Sequence, residues 1–219
     1  MKNTSIVGII NYEMGNIGSV SVALESLGQE YLICCKRRDL SLADALILPG
    51  VGAFGAAMEN LRRLDLVDEL SMQVLEHKKP FLGICLGMQL LALDSREQGF
   101  FKGLGWIEGH VLPIEPRRDF RVPHVGWNVL TIVKQQPLFT GCDEEAHFYF
   151  DHSFHMHCDG DIVSARCDYG TSYVAALQKE HIFAAQFHPE KSQRNGLKFL
   201  RNFINFVKNR QGCRKGRNG

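Results

Sequence analysis

Short, wholly apolar runs alternate with helical periodicities across residues 5–93. That alternation restricts the chain to strand–helix–strand units and hence to a parallel sheet. Ser5 to Ile10 carries no charge and reads as a strand buried on both faces. Asn16 is placed to cap a helix whose apolar positions include Ile17, Val20, Leu24 and Leu27, with Gly28 as its stop. Glu30 to Cys34 and Ala45 to Leu48 are the next two strands. Phe54 to His77 holds two helical segments broken near Asp65, then comes a strand at Phe81 to Ile84 and a helix at Leu86 to Leu93. The second half changes character. Trp106 to Leu112, Asn128 to Val133, Ala146 to Phe154, Ser172 to Gln178 and Ile182 to Gln186 read as strands, several of them hairpin-compatible. Gly196 to Val207 closes the chain as an amphipathic helix. The expected fold is one α/β domain over residues 1–207, a mostly parallel central sheet flanked by helices, with an antiparallel extension.

Composition removes whole classes of function. Hydrophobic residues at 45% and charged residues at 22% exclude a disordered chain, and no apolar run approaches the ~20 residues of a membrane span. The start of the chain lacks the apolar segment and cleavage site of a signal peptide, so the expected compartment is the cytosol. A net charge of +1 argues against a general nucleic-acid binder. The charge is uneven: Lys208, Arg210, Arg214, Lys215 and Arg217 leave a body of net −4, and 208–219 reads as a basic, frayed tail. Seven cysteines with no C-x-x-C pair argue against a disulfide framework or a zinc ribbon.

The sharpest local signal is Gly83-Ile84-Cys85-Leu86-Gly87, a G-x-C-x-G between an apolar run and a helical run. It resembles the nucleophile elbow with Cys in place of Ser. A Cys there sits at a helix N-terminus, where backbone N–H groups favour the thiolate, and the Leu86 N–H points to where an oxyanion would form. Its bland reading is a buried Cys between two convenient glycines. His188-Pro189-Glu190 follows an apolar strand and offers a base with a carboxylate to orient it; its bland reading is a surface turn. Each signal strengthens the other, because a nucleophilic thiol needs a proton acceptor.

Three further stretches invite competing readings. Gly50 to Gly55 contains a literal G-x-G-x-x-G, but it follows the third strand and lacks the acidic residue a dinucleotide fold requires ~20 positions on. An oxyanion-hole loop and a plain tight turn remain open. His147, His152, His155 and His157 suggest a metal, yet alternation along an extended segment divides them between two faces, and no metal is expected. His124-Val125-Gly126-Trp127-Asn128, after Arg117, Arg118 and Arg121, reads as either an interface or a half-buried Trp beside a solvated basic turn.

Taken together, these motifs resemble the class I, triad-type glutamine amidotransferases. Within them, the sequence is most similar to the glutaminase subunits of imidazole glycerol phosphate synthase. The likeness covers about residues 5 to 207 and rests on Asn11-Tyr12 with Met14-Gly15-Asn16, P-G-V-G-A-F at 49–54, G-I-C-L-G-M-Q at 83–89, P-H-V-G-W-N at 123–128 and F-H-P-E-K-S at 187–192. It implies Cys85, His188 and Glu190 as catalytic residues. It implies an oxyanion hole from the backbone of Val51 or Gly52 and of Leu86, and a glutamine site at Gln89, Ser153 and Phe154. Asn16, Trp127 and Lys191 would lie toward a partner (βα)₈-barrel synthase in a heterodimer. No cofactor, nucleic acid or membrane enters. The family's glutaminases stay nearly silent until the partner binds acceptor, which implies a reorienting Gly50-Val51-Gly52 peptide. Glu13 stands where the family usually has Gly, Asn11 where Asp is common, Asp151 where an apolar residue is found, and Phe154 where Tyr is usual. A second pathway implied by the resemblance is ammonia supply for amidation of a bacterial surface sugar. A barrel needs ~250 further residues, so the synthase is expected on a second chain.

Overall fold

Residues 5–143 and 145–215 are described in a computed structural model. The four strands expected in the first half form as β1 (Val7–Ile10), β2 (Tyr31–Cys34), β3 (Ala45–Gly50) and β4 (Phe81–Cys85). Between them lie α1 (Ile17–Ser26), α2 (Arg37–Leu42), α3 (Phe54–Arg63) and α4 (Val67–Ser71), the last running into a π turn at Met72–Glu76. The Asn16 side chain accepts from the Ser19 N–H at 3.1 Å and caps α1, while Gly28 ends it at φ +64°. Asp65, at φ +54°, breaks the helical stretch where expected.

The helix after β4 is shorter than its periodicity suggests. α5 spans Leu86–Gln89 only, and the apolar residues Leu90, Leu91 and Ala92 continue as buried turns. Two short strands follow, β5 (Asp94–Ser95) and β6 (Phe101–Lys102), then β7 (Gly109–Pro113) and β8 (His124–Ile132). The run expected as one strand at Ala146–Phe154 divides at Ser153 into β9 (His147–His152) and β10 (Phe154–Cys158). β11 (Val163–Asp168), β12 (Ser172–Lys179), β13 (Ile182–Ala185) and α6 (Gln193–Lys215) complete the described chain. α6 carries the predicted Leu200, Phe203, Ile204 and Val207 stripe but runs past Val207, through the start of the basic stretch. Arg217 lies outside the described residues.

The main sheet has nine strands in the order β2-β1-β3-β4-β13-β12-β11-β8-β9. Its first five are parallel, β13 of the second half among them, and the rest are antiparallel. A second sheet, β10-β7-β5-β6, covers part of one face. Strand parity assigns the core. Val7, Ile9, Ile47, Leu82, Ile84 and Phe183 pack with α1 and α6 on one face. Ile10, Leu46, Leu48 and Phe81 pack with α2, α3, α4 and Trp106 on the other. Among the described residues no helix is long and apolar enough to cross a membrane.

Candidate active site

Cys85 ends β4 and precedes α5 with φ +54° and ψ −110°, a conformation L-residues rarely adopt. The elbow glycines have specific steric reasons. A Cβ on Gly87 would lie 1.8 Å from the Leu48 carbonyl oxygen, and one on Gly83 would lie 2.6 Å from that of Gly87. The strained turn therefore requires its G-x-C-x-G spacing. Leu86 is the first residue of α5, so its N–H has no carbonyl of its own helix to bond.

β13 pairs with β4, and the chain leaving β13 carries Gln186, Phe187 and His188 beside Cys85. His188 Nδ1 lies 2.8 Å from Glu190 Oε1, with both side chains 2% exposed. The turn holding them is clamped. The His188 N–H donates to the Tyr149 carbonyl at 2.8 Å, and Ser192 Oγ donates to the His188 carbonyl at 2.6 Å. Ser192 Oγ also accepts from the Tyr149 N–H at 2.9 Å. Burial of the ring opposes its charge, but hydrogen bonding and charge interaction with Cys85 and Glu190 prevail. The His188 pKa is thereby raised to about 10. A thiol, an imidazole that favours its protonated form, and a carboxylate aligned on the far ring nitrogen can generate a nucleophile and carry its proton to a leaving group.

Of these groups Cys85 opens on a cavity of about 310 Å³ lined by Val51, Gly52, Cys85, Leu86, Gln89, Glu97, Pro123 and residues 151–154, and His188 and Glu190 lie buried behind it. All the sequence-predicted oxyanion and substrate residues reach it. The Gly50–Gly55 loop therefore faces the Cys85 cavity. Gln89 Nε2 donates to the Phe154 carbonyl at 2.9 Å and to Gln186 Oε1 at 3.0 Å, so its amide also braces the wall. Sequence reasoning missed Glu97, whose Oε2 accepts from the Phe54 N–H at the start of α3 at 2.7 Å. It missed Gln186, whose Nε2 is 3.6 Å from Cys85 Sγ. Both lie in the cavity wall or against the thiol, where only distant chain segments meet.

The histidine-rich segment resolves as alternation predicts. His152 lies in the buried stripe with Phe148 and Phe150, whereas His147 and His157 are exposed. His152 Nδ1 is 2.8 Å from the Phe154 carbonyl and its Nε2 is 3.1 Å from His124 Nδ1. A carbonyl only accepts, so His152 Nδ1 donates and its Nε2 accepts from His124. Burial lowers the pKa of His124 to about 4 and of His152 to about 3, which keeps both rings neutral at neutral pH. Among the described residues no three His, Cys, Asp or Glu side chains could hold a metal. The cysteines Cys34, Cys35, Cys85, Cys142, Cys158 and Cys167 are free.

The matched family decides what the geometry belongs to: the model for glutamine amidotransferase class-I matches residues 9–206. The chain belongs to the class I glutamine amidotransferases. Imidazole glycerol phosphate synthase subunit HisH 1 of Campylobacter jejuni (strain RM1221) is 51% identical over 199 residues, covering 91% of this amidotransferase and 99% of the relative. The HisH subunit of Methanocaldococcus jannaschii is 42% identical over 202 residues, covering 92% and 100%. The crystal structure of a glutamine amidotransferase from Thermotoga maritima shares the fold at 16% identity, with a TM-score of 0.64 covering 97% of this chain and 86% of that one.

On the amidotransferase surface, Trp127 is 46% exposed and packs edge-on to Tyr149 at 5.9 Å between ring centroids. Lys191 Nζ lies 5.5 Å from the centre of the same Tyr149 ring. Asn16 opens α1, which packs on the turn holding Lys191. Glu13 lies at φ +66°, a backbone conformation that favours Gly, and it forms an ion pair with Arg63.

Proposed function

We propose that this amidotransferase is the glutaminase subunit of an imidazole glycerol phosphate synthase. In the cytoplasm it hydrolyses glutamine and passes ammonia to a separate (βα)₈-barrel synthase subunit in a heterodimer. The observation that carries the reading is the buried Cys85, His188 and Glu190 set, with Cys85 in the cavity wall, in a chain whose full-length relatives bear that subunit's name. Those names favour the histidine-pathway synthase over a subunit feeding surface-sugar amidation.

In this reading glutamine occupies the cavity against Gln89, Ser153 and Phe154, with the Glu97 carboxylate available to its α-ammonium group. His188 holds the proton given up by the Cys85 thiol, and the Cys85 Sγ thiolate adds to the side-chain amide carbon. The amide oxygen becomes an oxyanion held by the N–H of Leu86 and of Val51 or Gly52; losing one such donor costs ~2.7–4 kcal/mol of barrier. His188 then gives the proton to the departing nitrogen, and the C–N bond breaks to release ammonia and leave a glutamyl thioester. Water, deprotonated by His188, cleaves the thioester to glutamate and returns the thiol. Glu190 holds the ring throughout. Asn16, Trp127 and Lys191 belong to the partner face.

The test is Cys85→Ala in the complex. Glutamine-dependent synthesis should fall by at least ~10³-fold, the scale of losing a nucleophile, while synthesis from high ammonium salt persists. A glutamine-like electrophile should label Cys85 in the wild type and no other thiol. Full glutamine-dependent activity without the Cys85 sulfur would refute the reading.

A further inference from the structure

Tyr12 ends the first strand–loop segment with its ring fully buried, and its hydroxyl has no hydrogen-bond partner. A buried hydroxyl without a partner is costly, and one beside a reacting thiol calls for a reason. Its neighbours are specific. A Cβ built on Gly50 would lie 2.5 Å from Tyr12 Oη, 2.8 Å from Leu86 Cβ and 3.0 Å from the Gly87 nitrogen. Gly50 is also the register partner of Cys85 across β3 and β4. The hydroxyl therefore sits against the backbone that leads into Val51 and Gly52, beside the elbow. Burial and the nearby Cys85 both push the Tyr12 phenol up, so it remains a donor.

The loop it faces is able to turn. Gly50 and Gly52 flank Val51, Gly52 lies at φ +106°, and Val51 is 42% exposed. Rotating the Gly50–Val51 peptide moves its C=O and N–H together in opposite directions. Turning the Val51 N–H into the cavity therefore turns the Gly50 carbonyl away from it. We propose that Tyr12 is a positioning residue for this reaction: its hydroxyl donates to the Gly50 carbonyl when the Val51 N–H turns toward the glutamyl oxyanion. This rests on the glutaminase reading above. The hydroxyl has no other hydrogen-bond partner, and a bond gained only in the reacting arrangement is the kind of interaction that raises kcat rather than affinity.

Tyr12→Phe removes the hydroxyl and keeps the ring. With the protein in its synthase complex, glutamine-dependent kcat should fall at least ~10-fold, the consequence of losing about 1.4 kcal/mol in the transition state, with KM for glutamine within twofold. Ammonia-dependent synthesis should stay at the wild-type rate. Alkylation of Cys85 by iodoacetamide, which forms no oxyanion, should also be unchanged. The urea unfolding midpoint should hold or rise, because an unpaired hydroxyl has been removed. A kcat within twofold of wild type, a slowed alkylation, or a lowered unfolding midpoint would each overturn the proposal. Absence of Cys85-dependent glutamine hydrolysis in the wild-type complex would instead refute the glutaminase reading itself.

Discussion

His188 is held between two opposed effects, and their balance sets a pH window. Desolvation disfavours its charge, while Cys85 and Glu190 favour it strongly enough to bring the folded-state pKa to about 10. An unfolded His titrates near ~6.5. The folded value is the higher one, so protonation stabilises the fold. That contribution is complete below about pH 6.5 and is lost as pH rises toward 10. His188→Asn has no such group. The stability gap between wild type and this variant, from urea unfolding at a series of pH values, should narrow steadily across that window. A gap constant with pH would show that the ring is not held protonated. The grouping of Cys85 with His188 and Glu190 was legible in the sequence, because G-x-C-x-G and H-P-E each suggest a local mechanism. Gln186 and Glu97 were not, since neither belongs to a chemistry its neighbours announce; one reaches the thiol from β13 and the other reaches α3 from the loop after β5.

At the scale of elements, the site depends on contacts between backbones that carry no side chain. Gly196, near the start of α6, packs so closely that a Cβ there would lie 1.8 Å from the Pro189 carbonyl oxygen. Gly196→Ala should thus push the His188–Lys191 turn off its seat. We expect a loss of ~1–3 kcal/mol in urea unfolding, the usual scale of overpacking, together with a fall in glutaminase kcat. Unchanged kcat would show that the turn is held by Ser192 and Tyr149 without help from α6. β1, β3 and β4 were legible because both their faces are buried, which leaves a continuous apolar signal. α2 and β11 escaped notice. α2 has one buried position, Leu40, and β11 carries Arg166 and Asp168, so neither shows a clear period. The division of the 147–158 run at Ser153 was also hidden. The residue types alternate without interruption through the break, whereas burial does not, with Ser153, Phe154 and His155 all partly exposed where the strand changes sheets.

Across the whole molecule, the cavity and the cluster of exposed Trp127 with the half-buried Tyr149 and Lys191 are joined by β8 and β9. β8 carries both Trp127 and His124, and β9 carries both Tyr149 and His152. Hydrogen bonds then run from His124 through His152 to the Phe154 carbonyl, Gln89, Gln186 and the thiol. Trp127→Ala should weaken binding to the synthase by at least ~10-fold in calorimetry, on the scale of an interface hot spot. The isolated chain's unfolding midpoint should hardly change, since the ring is half exposed. Wild-type affinity in this variant would move the partner face elsewhere. By itself the sequence determined the alternation of strands and helices in the first half, the parallel sheet with its antiparallel extension, and Cys85 with the His188–Glu190 pair as the candidate site. Burial on one or two faces and the sterics of a tight turn are local, and they leave periodic traces. Only the tertiary structure decided what surrounds the thiol: Gln186, Glu97, the neutral His124–His152 pair and the buried Tyr12 hydroxyl. These meet through sheet pairing between segments far apart in the chain, and long-range pairing leaves no period to read.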